Sequence, residues 1–281
     1  MSNTIEDNSF LFIKVLDTVP VGDLCRALSS TEIFLLRILS KEVKDIVDKM
    51  CLCINVYLTI TYTFNTYRSS PITTKNKLII EKRIKSLKNI NYFHKIVKFS
   101  LTNCGFFMDL ILPLIKEIKT LQYLNLSNNN IGFDPTLSVE CTVSVVELVD
   151  ILQTIKLDTL NISNNYLGPK GLEILAKMLV NNTTLTSLNL AGNNIGSQGA
   201  KIAEVITQSL VLKELILSNN CIKQEEASFI AEAIPKCTSL TALDLSSNII
   251  GWEGVKNLIQ VQSQNTTLTS LNLKHNRITL F

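Results

Sequence analysis

Apolar and polar residues recur in a fixed order along the second half of the chain. Leucine or isoleucine takes the first, fourth, sixth and eleventh places of a stretch in which asparagine holds the ninth: LQYLNLSNNNI at 121–131, LTSLNLAGNNI at 185–195. Leu188 and Leu190, two apart, point to one face of a short strand, and Asn189 between them points to the other. After the asparagine the period changes. Ala200, Ala203 and Ile206 follow helical spacing, and so do the apolar residues of GPKGLEILAKML, EEASFIAEAI and VSVVELVDILQTI. The small Gly199 and Ala200 are expected to let their helix lie close to the strand layer.

The stretch begins at Ile96, Leu121, Leu157, Leu185, Leu212, Leu240 and Leu268, at intervals of 25, 36, 28, 27, 28 and 28 residues. A strand this short cannot bury its apolar face alone, so successive units must stack. Over residues 92–281 the seven units resemble the leucine-rich repeat family, of the ribonuclease-inhibitor type. The resemblance implies an α/β solenoid: a curved horseshoe with a parallel sheet inside and helices outside. It also implies that a partner protein is held on the concave face. Where the chain turns inward past each strand, its backbone groups lose both ladder partners and water. An amide carries donors and acceptors together, so Asn129, Asn165, Asn193, Asn220, Asn248 and Asn276 are expected to bridge adjacent turns as a ladder. Cys104 takes that place in the first unit.

Outward strand positions should fall into three rows. Lys98, Tyr123, Thr159, Ser187, Glu214, Ala242 and Ser270 form the first; Ser100, Asn125, Asn161, Asn189, Ile216, Asp244 and Asn272 the second. Thr102, Ser127, Ser163, Ala191, Ser218, Ser246 and Lys274 form the third. The face is mostly small and neutral. Binding energy concentrates in a few large or charged side chains, which selects Tyr123, Glu214, Ile216, Asp244, Lys274 and His275 as candidate partner contacts. Trp252, the sole tryptophan, is placed in the loop after the sixth strand as a rim contact. The interval of 36 residues carries an insertion, GFDPTLSVEC, in which Asp134-Pro135 favours a turn and Phe133 is either a rim anchor or a plug over the preceding helix.

The first third differs. Residues 1–50 imply two or three short helices, with a capping signal at Ser29-Ser-Thr-Glu32. Val19-Pro20, Leu24, Ala27-Leu28 and Ser40-Lys41-Glu-Val43-Lys-Asp-Ile46-Val47 resemble an F-box, with Val43 where that family usually has tryptophan and about three residues missing between the helices. A helical cap for the repeats is the competing reading. The resemblance implies Pro20, Leu24, Leu28 and Ile38 as contacts for a Skp-type adaptor and a role recruiting substrates to a ubiquitin ligase. Residues 51–91 hold an alternating stretch, LCINVYLTITYTF, expected to be a half-buried strand or hairpin that pairs with the solenoid's first edge and hides it. A linker and a basic helix follow, read as a cap for the repeats in preference to an element binding an anionic membrane or an acidic partner.

A net charge of +3 over 281 residues gives no bulk case for nucleic-acid binding. Seven cysteines without paired spacing suit a reducing compartment, and MSNTIEDNSF lacks the features of a secretory signal, so a cytoplasmic location is expected. Two distant histidines, His94 and His275, and the lack of a phosphate-cradling loop argue against an enzyme. No cofactor or metal is expected. The Asn-, Ile- and Lys-rich composition with near-consensus repeats is similar to secreted effectors of intracellular bacteria, an alternative in which the chain acts on a host protein. Ran-type GTPase activators share the repeat type, but Arg277 is the one arginine within the repeats. After Ile278 only three residues follow, so the last unit lacks a closing helix and the oligomeric state is left open.

Overall fold

A computed structural model of the chain describes residues 60–63, 97–102, 108–134, 139–140, 143–196 and 198–278. The F-box-like positions Pro20, Leu24, Leu28 and Ile38, the basic stretch 75–95 and Cys104 lie outside the described residues.

Strand and helix alternate as the changing period demands. Strand β1 (Ile60–Thr63) is followed by β2 (Lys98–Thr102), α1 (Met108–Glu117), β3 (Tyr123–Asn125), β4 (Phe133–Asp134), β5 (Val139–Glu140) and α2 (Val143–Leu152). Then come β6 (Thr159–Asn161), α3 (Gly168–Asn181), β7 (Ser187–Asn189), α4 (Gly199–Gln208), β8 (Glu214–Ile216) and α5 (Gln224–Ala233). Strand β9 (Ala242–Asp244), α6 (Gly251–Gln262) and β10 (Ser270–Asn272) complete the described chain. Eight strands form one open sheet in the order β1-β2-β3-β6-β7-β8-β9-β10, and every pairing is parallel. Strands adjacent in the sheet therefore follow one another along the chain, and from β2 to β10 a helix lies between each strand and its neighbour in the sheet.

One apolar core runs the length of the stack, from Phe99 to Leu268. From the unit of Leu121 to that of Leu240, each buries its first, fourth and sixth residues, as Leu185, Leu188 and Leu190 do, and its eleventh, as Ile195. In the last unit Leu268 is buried, Leu271 and Leu273 are half-buried and Ile278 is exposed. Truncating Leu188 to alanine would cost about 2–5 kcal/mol, because its neighbours in the adjacent coils cannot collapse onto the space.

Two details of α4 differ from the sequence expectation. Its buried side is Ile202, Val205 and Ile206, while Ala200 is exposed. The interval of 27 residues in this unit removes one residue between the asparagine and the next strand, and the buried positions shift by one. Gly199 is small because of a neighbouring helix, not the sheet. A Cβ there would stand 2.5 Å from Glu226 Cα of α5.

Strand β1 pairs with β2 as expected, and its register says more. Ile60 lies opposite Phe99 and Tyr62 opposite Leu101, the same rows that carry the fourth and sixth template residues elsewhere. Counting from that register, Tyr57, Ile60, Tyr62, Asn65 and Tyr67 take the template's first, fourth, sixth, ninth and eleventh places in the sequence. The insertion between β3 and β6 forms a separate two-stranded hairpin, with Phe133 opposite Glu140 and Asp134 opposite Val139.

Candidate functional site

The register places the first two rows where the pattern put them. Lys98, Tyr123, Thr159, Ser187, Glu214, Ala242 and Ser270 are successive partners across the sheet, as are Ser100, Asn125, Asn161, Asn189, Ile216, Asp244 and Asn272. Not all of these residues are available. Ser100 is buried, and the chain has turned inward at the third row, so Ser127 and Ser163 are buried too.

The second row has a conformation that the sequence reading did not foresee. Asn125 Oδ1 accepts the backbone N–H of Ser127 at 3.0 Å, Asn161 Oδ1 that of Ser163 at 3.0 Å and Asn189 Oδ1 that of Ala191 at 2.9 Å. Asp244 accepts from Ser246 at 2.8 Å and Asn272 from Lys274 at 3.2 Å. Each side chain closes a turn onto its own coil, the local competition with backbone pairing that these residue types favour. Asp244, selected as a partner contact, thus commits one carboxylate oxygen to the fold. Ile216 is the exception among these neighbours. It is half-buried, cannot close such a turn, and stands between Asn189 and Asp244.

The register brings three of the selected side chains, Glu214, Ile216 and Asp244, together on adjacent strands. Glu214 and Ile216 lie on β8, opposite Ala242 and Asp244 on β9. Glu214 is exposed, and Ser187 donates its hydroxyl to Glu214 Oε2 at 2.6 Å. Tyr123 lies three strands away, half-buried, with Lys98 Nζ 5.9 Å from its ring centroid. On α4, away from this face, the hydrogen bond and charge of Glu204 raise Lys201 above the usual lysine range.

Three other candidates have different surroundings. Trp252 is the second residue of α6 and 47% exposed, so it belongs to the helical layer and not to a loop beside Asp244. His275 has a φ of 59°, one of a column of left-handed residues immediately before each ladder asparagine: Asn128, Asn164, Gly192, Asn219 and Ser247 share it. That column favours glycine and asparagine, and its enrichment in them was the signal available in the sequence. Lys274 is exposed beyond β10, one strand past Asp244. The Phe133 backbone belongs to the small hairpin, apart from the main sheet.

The ladder asparagines are buried, and Asn165, Asn193, Asn220, Asn248 and Asn276 are bonded at both ends of the amide. Asn193 Nδ2 donates to Ile162 O at 2.9 Å in the preceding coil and to Leu190 O at 3.0 Å in its own, while its Oδ1 accepts the N–H of Leu167 at 3.4 Å. Asn129, Asn165, Asn220, Asn248 and Asn276 likewise donate to the coil before them. A second set of corners, not read from the sequence, lies three residues before the first leucine of each of the last four units. Asn182, Ser209, Cys237 and Asn265 accept the N–H of Leu185, Leu212, Leu240 and Leu268. Asn265 also donates to Ile234 O at 2.6 Å, tying α6 to the preceding unit.

Among the described residues no cluster of three His, Cys, Asp or Glu side chains could hold a metal ion. No described helix is long and apolar enough to cross a membrane.

Residues 181–201, 236–258 and 264–280 match a family model described as leucine-rich repeat, and residues 120–140 match a second model of the same description. No curated protein matches the chain. Among solved structures, actin-binding site 2 of leiomodin-1 is similar at 22% identity and a TM-score of 0.43, over 57% of this chain and 89% of that one. The tropomodulin C-terminal domain of Caenorhabditis elegans is similar at 14% identity and a TM-score of 0.42, over 56% and 92%. A leucine-rich repeat protein of Leptospira interrogans aligns at 19% identity and a TM-score of 0.39, over 79% of this chain and 56% of its own.

Proposed function

We propose that this chain, an α/β leucine-rich repeat solenoid, holds a partner protein on the concave face of its sheet, with Glu214, Ile216, Ala242 and Asp244 as the anchor. Leucine-rich repeats are typically interaction scaffolds rather than catalysts, and a stack of short strands presents a broad surface rather than a pocket. Seven strand spacings of about 4.8 Å give a face roughly 34 Å long, enough for a standard interface of about 800 Å² per partner. One observation carries the choice of anchor. Ile216 leaves apolar surface exposed in a row whose flanking members are Asn189 and Asp244, polar residues turned back onto their own coils.

The test is affinity capture from a eukaryotic lysate by the wild-type chain and by the combined Glu214→Lys, Ile216→Asn, Asp244→Asn variant. These substitutions keep a turn-closing residue at position 244 and introduce one at 216, so the thermal melt should match that of the wild type. A captured protein that is lost with the variant supports the anchor. Capture of the same proteins by both chains removes it. The pattern at Val19-Pro20 and Leu24 supports a narrower reading as an adaptor of a ubiquitin ligase. Co-purification of the full chain with a Skp-type adaptor tests that reading, and no complex at micromolar concentration ends it.

A further inference from the structure

The amide row adjoining the anchor has a property that says what kind of chain would lie there. In Asn125, Asn161 and Asn189 the Oδ1 atom is engaged by the backbone two residues on, and this fixes which way each amide faces. Among the described residues no acceptor takes the Nδ2 hydrogens of any of the three. Each side chain is half-buried, and the three stand on adjacent strands β3, β6 and β7 in register. The sheet therefore presents a line of fixed hydrogen-bond donors with neutral hydroxyls of Thr159 and Ser187 beside it. At the β8–β9 end of the same line, Glu214 and Asp244 stand at diagonal register positions, with Ile216 and Ala242 on the other diagonal.

Resting on the concave-face reading, we infer that the occupant is a linear peptide segment in the polyproline II conformation, carrying one arginine or lysine. The donors call for an acceptor-rich ligand. A polyproline II chain has no internal hydrogen bonds, so all its carbonyls are available, and it loses little entropy on docking. The spacing fits as well. Strand centres lie about 4.8 Å apart, so Asn125 and Asn189, two strands apart, are separated by about 9.6 Å. Carbonyls three residues apart on a polyproline II chain face the same way at about 9.3 Å. In a flat extended strand, same-facing carbonyls repeat at about 6.7 Å, which matches neither one strand spacing nor two. Continuing across the sheet, the same chain reaches the space between β8 and β9 about five or six residues beyond Asn125. A basic side chain there would lay its methylenes on Ile216 and Ala242 and place its charge between Glu214 and Asp244.

The probes are fluorescein-labelled polyproline peptides of about twelve residues, with a single arginine near one end or the other, titrated against the full chain by anisotropy. An arginine peptide should bind saturably. Replacing its arginine by glutamate should weaken binding about tenfold, and the Glu214→Lys, Asp244→Lys variant should reverse that preference. The Asn125→Asp, Asn189→Asp variant removes the two donors that the peptide's carbonyls would span but keeps the turns, since Asp244 closes the same turn in the native chain. It should melt with the wild type and lose about tenfold in affinity. Absence of saturable binding by either arginine peptide up to about 1 mM overturns the inference, as does binding that ignores the Asn→Asp changes. The concave-face reading stands or falls separately. A partner captured by the wild type and lost with the anchor variant would keep that reading even if no peptide binds.

Discussion

Two columns of asparagine run through the solenoid four residues apart, and they behave differently. Asn189 and Asn193, or Asn161 and Asn165, sit in the same coil with the same side chain. The ladder members Asn165 and Asn193 are 4% and 0% exposed and have both ends of the amide bonded, with contacts that cross from one coil to the next. The strand members are half-buried, and they bond once, within their own coil. The difference teaches that residue type alone does not assign a role here. A buried amide must satisfy its whole valence and so becomes a joint between units, whereas an amide at the surface can close a turn and leave its donors to solvent or a ligand.

The contrast is broken most directly at the ladder. Asn193→Leu would leave the N–H of Leu167 without its partner in a dry interior, and would take from Ile162 O and Leu190 O one of their two amide donors, the others being Asn165 and Asn220. The expected loss is about 3 kcal/mol, read as a lowered denaturant midpoint in an equilibrium unfolding curve. Because these bonds join adjacent coils, the transition should also broaden as the two halves of the stack lose coupling. A midpoint equal to that of the wild type would mean that the ladder does not hold the coils together.

An intermediate effect is expected at the corner before β10. Asn265 Nδ2 reaches Ile234 O in the previous unit and its Oδ1 accepts from Leu268, but the residue is half-buried and water can replace part of what is lost. Asn265→Ala should cost about 1–2 kcal/mol by the same unfolding measurement. A loss as large as that of Asn193→Leu would place the corners and the ladder in one class.

The repeat was legible because stacking imposes the same demand on every coil. Leucine spacing, the ladder positions and the strand register all follow from one period, and the seven units from Ile96 to Leu268 could be counted from it. The eighth strand was expected as an edge cover but not recognised as a repeat. Tyr57 and Tyr62 replace leucines there, and 39 residues separate Tyr57 from Ile96, so only the pairing of Ile60 with Phe99 reveals the shared frame. The use made of Asn125, Asn161 and Asp244 was hidden for a different reason. A polar residue on an outward strand position looks free in a sequence, and its turn-closing bond depends on how the chain bends two residues later. Trp252 was misplaced because helix α6 begins earlier than glycine-rich GWEG suggests, with Gly251 supplying a φ of 71° at its start.

The smallest effect sharpens the comparison furthest. Asn161→Ala removes the acceptor for Ser163 N–H and nothing else that is bonded, at a half-buried site. It should cost less than about 1 kcal/mol. Asn161→Asp should cost less still, because a carboxylate closes the same turn, as Asp244 does with Ser246. Thermal melts of the two variants beside the wild type measure both. If Asn161→Ala proved as costly as Asn193→Leu, the strand column would be a second ladder whose amides are spent on the fold. The same face could not then offer those amides to a partner chain.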